Sequence, residues 1–453
     1  MNEKLQRYFV YPIAEWYLKE NVLTLSESLR TYDYIEKDDA EKYALDRIQK
    51  LIKHAYRTTA YYRAFFDSYG IDPLDITTLK DFESIPVLTK DRLREQFPDL
   101  ISSVKFPKVS KIHSGGTMGQ SIYVLRDNYS LSFDRAVKGK CISWYGCSIG
   151  DREFRMWSYP FGRMDNFKAY CIDLLLNRRR VSPLKMTAGR AVRIAKAIHS
   201  FKPKLIYGWT TGLYKFAQIA EEAGISFEPS DLRVVISTAE RLYDYQRSLM
   251  RKVYQRPIVD EYGCSEAGVI GFECEAGNKH IQVENNYLEV VNKENYADGL
   301  GELVVTNLTN YAMPLIRYRI GDIGSINYGP CDCGRLTPFV SHVSGRILDY
   351  LIDSSGEVVL GEVFCYICFD LIDKYGAIKD FRVRQERDGS INIYYVPSTK
   401  YYQGFLGVFE DAIRKHLGKG LIILFHEMAD LTIMDKGKPR YVVSNDERKD
   451  DSH

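Results

Sequence analysis

The stretch "PKLIYGWTTGLYKFAQIAEEAG", residues Pro203 to Gly224, decides the fold class. Its first part is an apolar run of strand length, and its second part has apolar residues at helical spacing. The same pair recurs in "LRVVISTAERLYDYQRSLMRKVYQ", residues Leu232 to Gln255. Strand-like and helical runs alternate from about residue 110 to 330, which predicts an α/β domain with parallel strands. Ligands bind such sheets beyond the carboxyl ends of the strands, where the turns after "IYG", "VVIST" and "IVDEYG" would lie.

Other stretches extend this prediction along the chain. Residues 38–69 place apolar residues at helical spacing and end at Gly70, and "LTKDRLREQF" predicts a helix with Thr89 as its N-cap. The section "NNYLEVVNKENYADGLGELVVTNL" is more β-like, and "DYLIDSSGEVV" predicts a hairpin after the "SGR" at 344–346. We therefore expect a large N-terminal domain at 1–345, with mostly parallel sheets flanked by helices, and a small α+β C-terminal domain at 346–453.

The composition is typical of a globular protein, with 45% hydrophobic and 27% charged residues. A formal net charge of +2 argues against a dedicated nucleic-acid binder, which is usually strongly basic. No apolar run approaches the roughly 18 residues that span a bilayer. We expect no membrane span and a cytoplasmic location, in which the nine cysteines stay reduced.

A glycine-rich stretch, "KIHSGGTMGQSIYVLRD", occupies residues 111–127. Consecutive glycines let the backbone take positive φ and direct several N–H groups into one concavity that suits an anion. A hydroxyl from Ser114 or Thr117 could add a hydrogen bond to a phosphate oxygen. The alternative is a hairpin turn, which Gly-Gly pairs also form.

Two later stretches also end in polar turns. In "VDEYGCSEAG", at 259–268, Ser265 and Glu266 could present a hydroxyl and a carboxylate to a Mg²⁺–phosphate unit. The alternative is a strand-to-helix turn, capped by Ser265 and with Glu266 near the helix dipole. In "PLIRYRIGDIG", at 314–324, Asp322 could accept both hydroxyls of a ribose and Arg319 could meet an anion. The alternative there is a surface turn with an ion pair.

A fourth stretch, "MDKGKPRYVVS" at 434–444, places Lys438 in a Gly-containing turn before a strand. A mobile cation could be delivered to a site from such a turn. The alternative is an ordinary exposed lysine.

The order of these stretches resembles the signature blocks of the adenylate-forming (acyl-CoA synthetase-like) superfamily: a Gly-rich loop, "YGCSE", "RYRIGD", "SGR" and a late "GK". The chain most resembles the phenylacetate–CoA ligase branch, including its capsule-biosynthesis relatives. The stretches "TTAYYRAFFDSYGIDP", "SIPVLTKDRLRE" and "GELVVTNLTNYAMPLIRYRIGD" support that branch. The resemblance covers residues from about 45 to 445.

The resemblance implies ATP or AMP, Mg²⁺ and CoA as ligands and assigns roles by position. The β,γ-phosphates of ATP would be held by Ser114, Gly115, Gly116, Thr117 and Gly119. Ala239 and Glu240 would run along the adenine, and Tyr262, next to Gly263, would pack against its ring. Asp322 would bind the ribose hydroxyls, and Arg346 would follow at the hinge. Ser265 and Glu266 would meet phosphate and Mg²⁺. Lys438, on a mobile C-terminal domain, would contact the reacting carboxylate and the α-phosphate, so Lys438, Glu266 and Thr117 are the expected catalytic residues.

The chain departs from the family pattern at four positions. The family loop usually carries a second Thr, a Lys and a Pro where this chain has Met118, Gln120 and Ser121. One phosphate-binding hydroxyl and one cation are therefore missing. Leu348 stands where the hinge usually has Asp or Lys, with Asp349 next to it. These departures bear on ATP binding and on the domain swing.

A metal site is a separate prediction. Cys274, His280, Cys331 and Cys333 have the spacing C-x5-H followed by C-x-C. Zn²⁺ takes such sets of soft ligands tetrahedrally, so we expect structural zinc. The alternative is a set of buried free thiols beside an unrelated histidine. The pair in "CYIC", Cys365 and Cys368, is expected in the core on a helix.

The expected activity is that of an AMP-forming ligase, which activates a carboxylic acid as an acyl-adenylate and transfers the acyl group to CoA. The stretch at 156–166 and the residues Tyr207 to Trp209 would shape the acid pocket or merely pack its wall. One alternative passes the acyl group to an amine or hydroxyl in surface or capsule polysaccharide biosynthesis. Another is a non-catalytic nucleotide-binding relative. We expect a small carboxylic acid and no nucleic acid as partners, and a homodimer is considered for the assembly.

Overall fold

The computed structural model describes residues 5–113, 122–157, 163–183, 186–225, 231–296, 299–346, 350–354, 358–360, 368, 371, 374–402, 404–418, 420–431 and 442–444. Several predicted site residues lie outside these ranges: Ser114, Gly115, Gly116, Thr117, Gly119 and Lys438. Outside them too are Met118, Gln120, Ser121, Leu348, Asp349 and Cys365.

A sheet of eleven strands forms the centre of the fold. An antiparallel pair precedes it in the chain, β1 (Val109–His113) and β2 (Tyr123–Asp127). The strands of the large sheet are β3 (Glu153–Met156), β4 (Arg178–Val181), β5 (Leu205–Trp209), β6 (Val234–Thr238), β7 (Ile258–Cys264), β8 (Gly268–Glu273), β9 (Lys279–Ile281), β10 (Asn286–Val291), β11 (Gly301–Asn307), β12 (Tyr318–Asn327) and β13 (Phe339–Arg346). Their order is β10-β11-β12-β13-β9-β8-β7-β6-β5-β3-β4.

The sheet has a parallel half and an antiparallel half. The strands β4, β3, β5, β6 and β7 pair in parallel, as predicted from the alternating runs. In the other half, the neighbouring strands β7, β8, β9, β13, β12, β11 and β10 all pair antiparallel. The α/β class is thus confirmed, and the sheet is mixed rather than mostly parallel because the β-like section after β7 adds antiparallel strands to its edge.

Helices cover both faces of the parallel half. The α-helices of the large part of the chain are α1 (Tyr11–Leu18), α2 (Val22–Ser28), α3 (Lys37–Thr58), α4 (Ala60–Tyr69), α5 (Leu79–Glu83), α6 (Lys90–Glu95), α7 (Asn128–Ser143), α8 (Arg163–Leu175), α9 (Ala188–Phe201), α10 (Thr210–Glu222) and α11 (Asp244–Tyr254). Short π and 3-10 turns lie at Gln6–Val10, Leu29–Tyr34 and Lys293–Asn295. Among the residues given above, no helix is long and apolar enough to cross a membrane.

Local signals explain where several helices begin and end. The Thr89 side chain accepts a hydrogen bond from the backbone N–H of Arg92, as the predicted N-cap should. The helical stretch at 38–69 is interrupted at Thr59, which has extended backbone angles and caps α4 through Tyr62 N. Gly70, at φ +63°, ends α4 in the left-handed conformation that glycine adopts without strain.

Alternation along the buried parallel strands divides the core. On one face, Ile206, Val235 and Ile258 pack against α9, α10 and α11. On the other face, Tyr207 and Ile236 pack against α7. Side chains at every second position of β5, β6 and β7 therefore point toward α7.

The last part of the chain has its own sheet and its own core. The predicted hairpin is confirmed as β14 (Tyr350–Ile352) paired with β15 (Val358–Leu360). A further sheet has the order β18-β17-β16-β19. Its strands and helix are β16 (Ile378–Gln385), β17 (Ile391–Pro397), α12 (Phe405–Leu417), β18 (Ile423–Glu427) and β19 (Val442–Ser444). Their apolar side chains form a separate cluster, which includes the buried Cys368 as expected.

Candidate active site

The turn after β6 carries two of the predicted site residues. Ala239 has φ +70°, a left-handed conformation that costs a residue with a Cβ atom about 1–2 kcal/mol. Glu240 follows, and its Oε2 accepts a hydrogen bond from the backbone N–H of Thr211 over 2.7 Å. The Thr210 hydroxyl donates to the Glu240 carbonyl over 3.0 Å. The strained turn is thus held against the first turn of α10.

The end of β7 is the second element of the site. The Tyr262 hydroxyl donates a hydrogen bond to Asp322 Oδ2 over 2.9 Å. A Cβ at Gly263 would lie 2.3 Å from the Gly268 carbonyl oxygen, so only glycine fits between these strands. Gly268 has φ +77°, and the chain turns there into the antiparallel strand β8. The alternative of a strand-to-helix turn is therefore wrong, because the next element after Glu266 is the strand β8.

Glu266 is a buried carboxylate in this turn. Its Oε1 accepts a hydrogen bond from the Tyr318 hydroxyl over 3.2 Å, and no described residue donates to its Oε2. Burial, together with the Glu266 carboxylate, raises the pKa of Tyr318 well above its ordinary value, so Tyr318 remains a donor. Ser265, next to Glu266, is exposed. This arrangement leaves one carboxylate oxygen for a cation, which suits the oxygen preference of Mg²⁺.

The strands β12 and β13 contain the last of the predicted nucleotide-binding residues. Asp322 on β12 is the cross-strand partner of Arg346 at the end of β13. Arg319, two strand positions before Gly321, forms an ion pair with Glu302 over 2.9 Å. The ion-pair alternative thus describes Arg319, whereas Asp322 is half-buried and receives the Tyr262 hydroxyl.

A second constellation unites the predicted zinc ligands. The ligand atoms of Cys274, His280, Cys331 and Cys333 all lie within 4.8 Å of one another. The sulfur atoms of Cys274 and Cys331 are 3.7 Å apart, and Cys333 Sγ lies 3.2 Å from His280 Nε2. A tetrahedral ion with Zn–S bonds of about 2.3 Å separates its sulfur ligands by about 3.7–3.8 Å. The spacing between Cys274 and Cys331 therefore fits zinc.

The surroundings of this cluster fix the histidine tautomer. His280 Nδ1 lies 2.9 Å from the Thr337 carbonyl oxygen, which can only accept a hydrogen bond. The proton is therefore on Nδ1, and the Nε2 lone pair faces the cysteines, as in many metal-bound histidines. Burial lowers the pKa of His280, which favours the neutral ring. The Asn278 side-chain N–H donates to Cys331 Sγ over 3.2 Å.

Some neighbours of the predicted residues carried no sequence signal. The pairing of Tyr318 with Glu266 joins residues 52 positions apart, and that of Thr211 with Glu240 joins residues 29 apart. Glu261 lies within "VDEYGCSEAG", but the sequence does not show its ion pair with Lys138 on α7, whose Nζ lies 3.4 Å from the Glu261 carboxylate. Two consecutive charged residues inside one strand, Asp260 and Glu261, are the one signal that could have drawn attention to Glu261.

Comparisons with known proteins bear on the resemblance and on the fold. No protein-family model matches the chain. The phenylacetate-coenzyme A ligase of Aromatoleum evansii is 29% identical over 307 residues, which are 65% of this chain and 68% of the relative. Protein CapK of Staphylococcus aureus is 22% identical over 310 residues, 67% of each chain. A crystal structure of 2-hydroxyisobutyryl-CoA ligase in the postadenylation state, with 2-HIB-AMP, matches with a TM-score of 0.72 at 19% identity and 91% coverage of both chains.

These likenesses confirm the resemblance that the order of the sequence blocks predicted. The match to the solved ligase extends over both the eleven-stranded sheet and the C-terminal sheet, since it covers nearly the whole chain. The chain is therefore a relative of the phenylacetate-coenzyme A ligases and of protein CapK, with the fold of an adenylate-forming CoA ligase.

Proposed function

We propose that the chain activates a carboxylic acid with ATP, forming an acyl-adenylate, and then transfers the acyl group to coenzyme A. The hydrogen bond between Tyr262 and Asp322 carries this proposal, because it unites two predicted nucleotide residues from separate sequence blocks. The similarity to phenylacetate-coenzyme A ligases supports both the reaction and the acceptor. Ala239 and Glu240, at the end of the neighbouring parallel strand, would border the adenine.

The chemistry explains which groups the reaction needs. Attack of a carboxylate on the α-phosphate brings two anions together, so positive charge and N–H donors must stabilise the transition state. Bound Mg²⁺ would supply part of that charge, and Glu266 is the described residue that would hold it. Lys438 would contact the reacting carboxylate, and the loop at 114–121 would hold the pyrophosphate.

A domain movement would separate the two half-reactions. We assign residues 1–345 to the adenylation domain and 346–453 to a mobile domain that brings Lys438. The end of the large sheet at Arg346 and the separate core of the C-terminal sheet support this division. The hinge would lie at Arg346, beside the predicted ribose ligand Asp322 in the strand register.

Structural zinc would tie two distant loops together. Cys274 and His280 flank the turn into β9, whereas Cys331 and Cys333 lie in the connection between β12 and β13. The four ligand atoms and the fixed His280 tautomer support a tetrahedral ion there. None of the eight described cysteines is in a disulfide, which supports a reducing, cytoplasmic location.

Release of pyrophosphate tests adenylation. The protein is incubated with ATP, Mg²⁺ and a panel of carboxylic acids that includes phenylacetate, with the Lys438→Ala variant as background. At least one acid should release pyrophosphate well above that background. If none does, the chain is instead a nucleotide-binding relative without turnover.

A second candidate acceptor, which the resemblance to capsule-biosynthesis relatives implies, is an amine or hydroxyl of a surface-polysaccharide precursor. Mass spectrometry of the complete reaction distinguishes the two acceptors. Acyl-CoA should appear when CoA is added. An acyl-adenylate that accumulates without acyl-CoA would reject CoA and favour the amine or hydroxyl.

A further inference from the structure

A row of side chains crosses the carboxyl ends of the parallel strands. Trp209 on β5 is the register partner of Thr238 on β6, and Thr238 is the partner of Glu261 on β7. Trp157, one residue beyond β3, continues the row, with its ring centroid 5.0 Å from that of Trp209. Residues in register point to the same face of a sheet, and here that face is covered by α7. The row ends at Glu261, the chain neighbour of Tyr262, and so borders the proposed nucleotide site.

Only one of the two carboxylate oxygens of Glu261 accepts hydrogen bonds from the described residues. The residue is 7% exposed, and its Oε1 accepts hydrogen bonds from Tyr207 over 2.7 Å and from Thr238 over 3.0 Å. Its Oε2 is buried and receives no hydrogen bond from any residue that the structure describes. The Lys138 ammonium lies 3.4 Å from this oxygen as an ion partner but does not form a hydrogen bond with it, so the oxygen can still accept one. Such an oxygen is a place where a ligand can donate.

The ammonium group of Lys138, beside the Glu261 carboxylate, has N–H donors that no described residue accepts. Lys138 Nζ lies 3.4 Å from Glu261 Oε2 and 2.9 Å from the centroid of the Tyr207 ring. An ammonium group has three N–H donors, and the ion pair with Glu261 occupies one direction. Burial lowers the pKa of Lys138 to about 8, although Glu261 opposes this shift. The side chain is 18% exposed, so it is not sealed inside the core.

An indole donor completes the set. Trp209 Nε1 is buried and has no acceptor within the described part of the chain. An indole N–H can only donate. Counted over the described residues alone, the row offers one unused acceptor, at Glu261, and unused donors at Lys138 and Trp209, between the aromatic rings of Trp157 and Tyr207.

Given the proposed function, we infer that Glu261, Lys138 and Trp209 bind a hydroxyl group of the carboxylic acid substrate. A hydroxyl donates to Glu261 Oε2 and accepts from Lys138 or Trp209, so it satisfies both kinds of unused group. The aromatic rings contact the carbon frame of the acid.

Charge distinguishes a hydroxyl from other polar groups. A cationic amine on the acid would meet the ammonium of Lys138, and a second carboxylate would meet Glu261. A neutral group that both donates and accepts avoids both repulsions. An acid without such a group leaves the buried atoms unpaired, and sites of this kind discriminate strongly against substrates that lack the hydroxyl.

The test compares matched pairs of acids by kcat/KM for pyrophosphate release. The pairs are phenylacetate with its 3- and 4-hydroxy derivatives, and butyrate with 3-hydroxybutyrate and 4-aminobutyrate. At least one hydroxylated acid should exceed its unsubstituted partner by about 100-fold or more. The amine-bearing acid, 4-aminobutyrate, should be the poorest substrate of its set. Equal or better turnover of the unsubstituted acids overturns the inference alone, whereas no pyrophosphate from any acid overturns the proposed function and this inference with it.

Variants separate recognition from structural support. Glu261→Gln and Trp209→Phe should lower kcat/KM for the preferred hydroxylated acid by about 10-fold or more and leave the unsubstituted partner unchanged or improved. Trp209→Phe retains the ring, so it provides the test if Glu261→Gln does not fold. Glu289→Gln, a buried carboxylate paired with Arg317 outside the row, is the matched control and should not change the preference. An equal loss for both acids in the row variants would assign these residues to packing only.

Discussion

The Tyr262 hydroxyl donates to Asp322 Oδ2 over 2.9 Å and so joins β7 to β12, which are not neighbours in the sheet. The bond spans 60 residues of sequence. It fixes the orientation of the carboxylate that would accept the ribose hydroxyls, and it holds the Tyr262 ring beside that carboxylate. A single phenol therefore organises both predicted contacts to the nucleoside.

Removal of this phenol should weaken nucleotide binding more than folding. We expect Tyr262→Phe to raise the KM for ATP by about tenfold, because a hydrogen bond to a charged group contributes about 1.5–3 kcal/mol. Steady-state pyrophosphate release measures the effect. Tyr287→Phe removes a similar phenol–carboxylate bond, to Glu83 over 3.0 Å, outside the site and should leave the KM unchanged. A tenfold change in both variants would count against a special role for Tyr262.

Loss of the Glu266 charge should affect turnover. In Glu266→Gln the amide oxygen can still accept the Tyr318 hydroxyl, so we expect a nearly unchanged unfolding temperature. The kcat should fall by about 100-fold or more, because the variant would hold less well the Mg²⁺ that would stabilise transition-state charge. The Mg²⁺ concentration needed for half-maximal rate should rise as well. Tyr318→Phe keeps the carboxylate and serves as the control. Full activity of Glu266→Gln at low Mg²⁺ would exclude Glu266 as the magnesium ligand.

Patterns within about ten residues predicted much of the fold. The strand β5 and the helix α10 follow from one continuous stretch, and Thr89 and Gly70 end or begin helices through local hydrogen bonds and backbone angles. The cluster of Cys274, His280, Cys331 and Cys333 was predictable as well, because soft ligands concentrated at two points of the chain have few other uses. For these strands and helices the physical cause lies in neighbouring residues, whereas the cluster unites residues 57 positions apart.

Contacts set by strand order could not be predicted in this way. Lys138 and Glu261 meet only because α7 covers the face on which β7 directs its alternate side chains. The number of antiparallel strands in the large sheet was also not predicted, because a β-like run does not show which strands it pairs with. Register between distant strands depends on the whole core, and one sequence contains no direct record of it.

The cysteine cluster provides a prediction that is independent of activity. The purified protein should contain about one zinc per chain, and Cys331→Ser should contain less than half of that and unfold at a lower temperature. Elemental analysis and thermal unfolding measure the two effects. Cys147→Ser alters a buried thiol away from the cluster and should retain the metal. Zinc-free protein with unchanged stability would favour free thiols.

A buried ion-pair network at the start of β3 should make stability depend on acid pH. Burial would raise the pKa of Glu153, but Arg155 and Arg178 outweigh it and hold the pKa far below its ordinary value of 4.5. Their guanidinium Nε atoms lie 2.6 Å and 3.0 Å from the carboxylate. Glu153 therefore binds a proton near pH 4.5 in the unfolded chain, whereas in the folded protein it stays ionised at that pH. The stabilisation from Glu153 is complete above that pH and declines as the pH falls.

The Glu153→Gln variant isolates this contribution. At pH 7 it should lose about 3–5 kcal/mol, because two guanidinium groups whose side chains are only 17% exposed lose their carboxylate. The amide does not titrate, so below about pH 4.5 the gap between the two proteins should narrow by about 1.4 kcal/mol for each pH unit. Chemical denaturation at pH 7, 4.5 and 3.5 measures the free energy of unfolding of both. The exposed pair Lys252–Glu221 is the control, and Glu221→Gln should cost less than about 1 kcal/mol at every pH. A gap for Glu153→Gln that stays constant from pH 7 to 3.5 would show that the carboxylate titrates alike in the folded and unfolded chains.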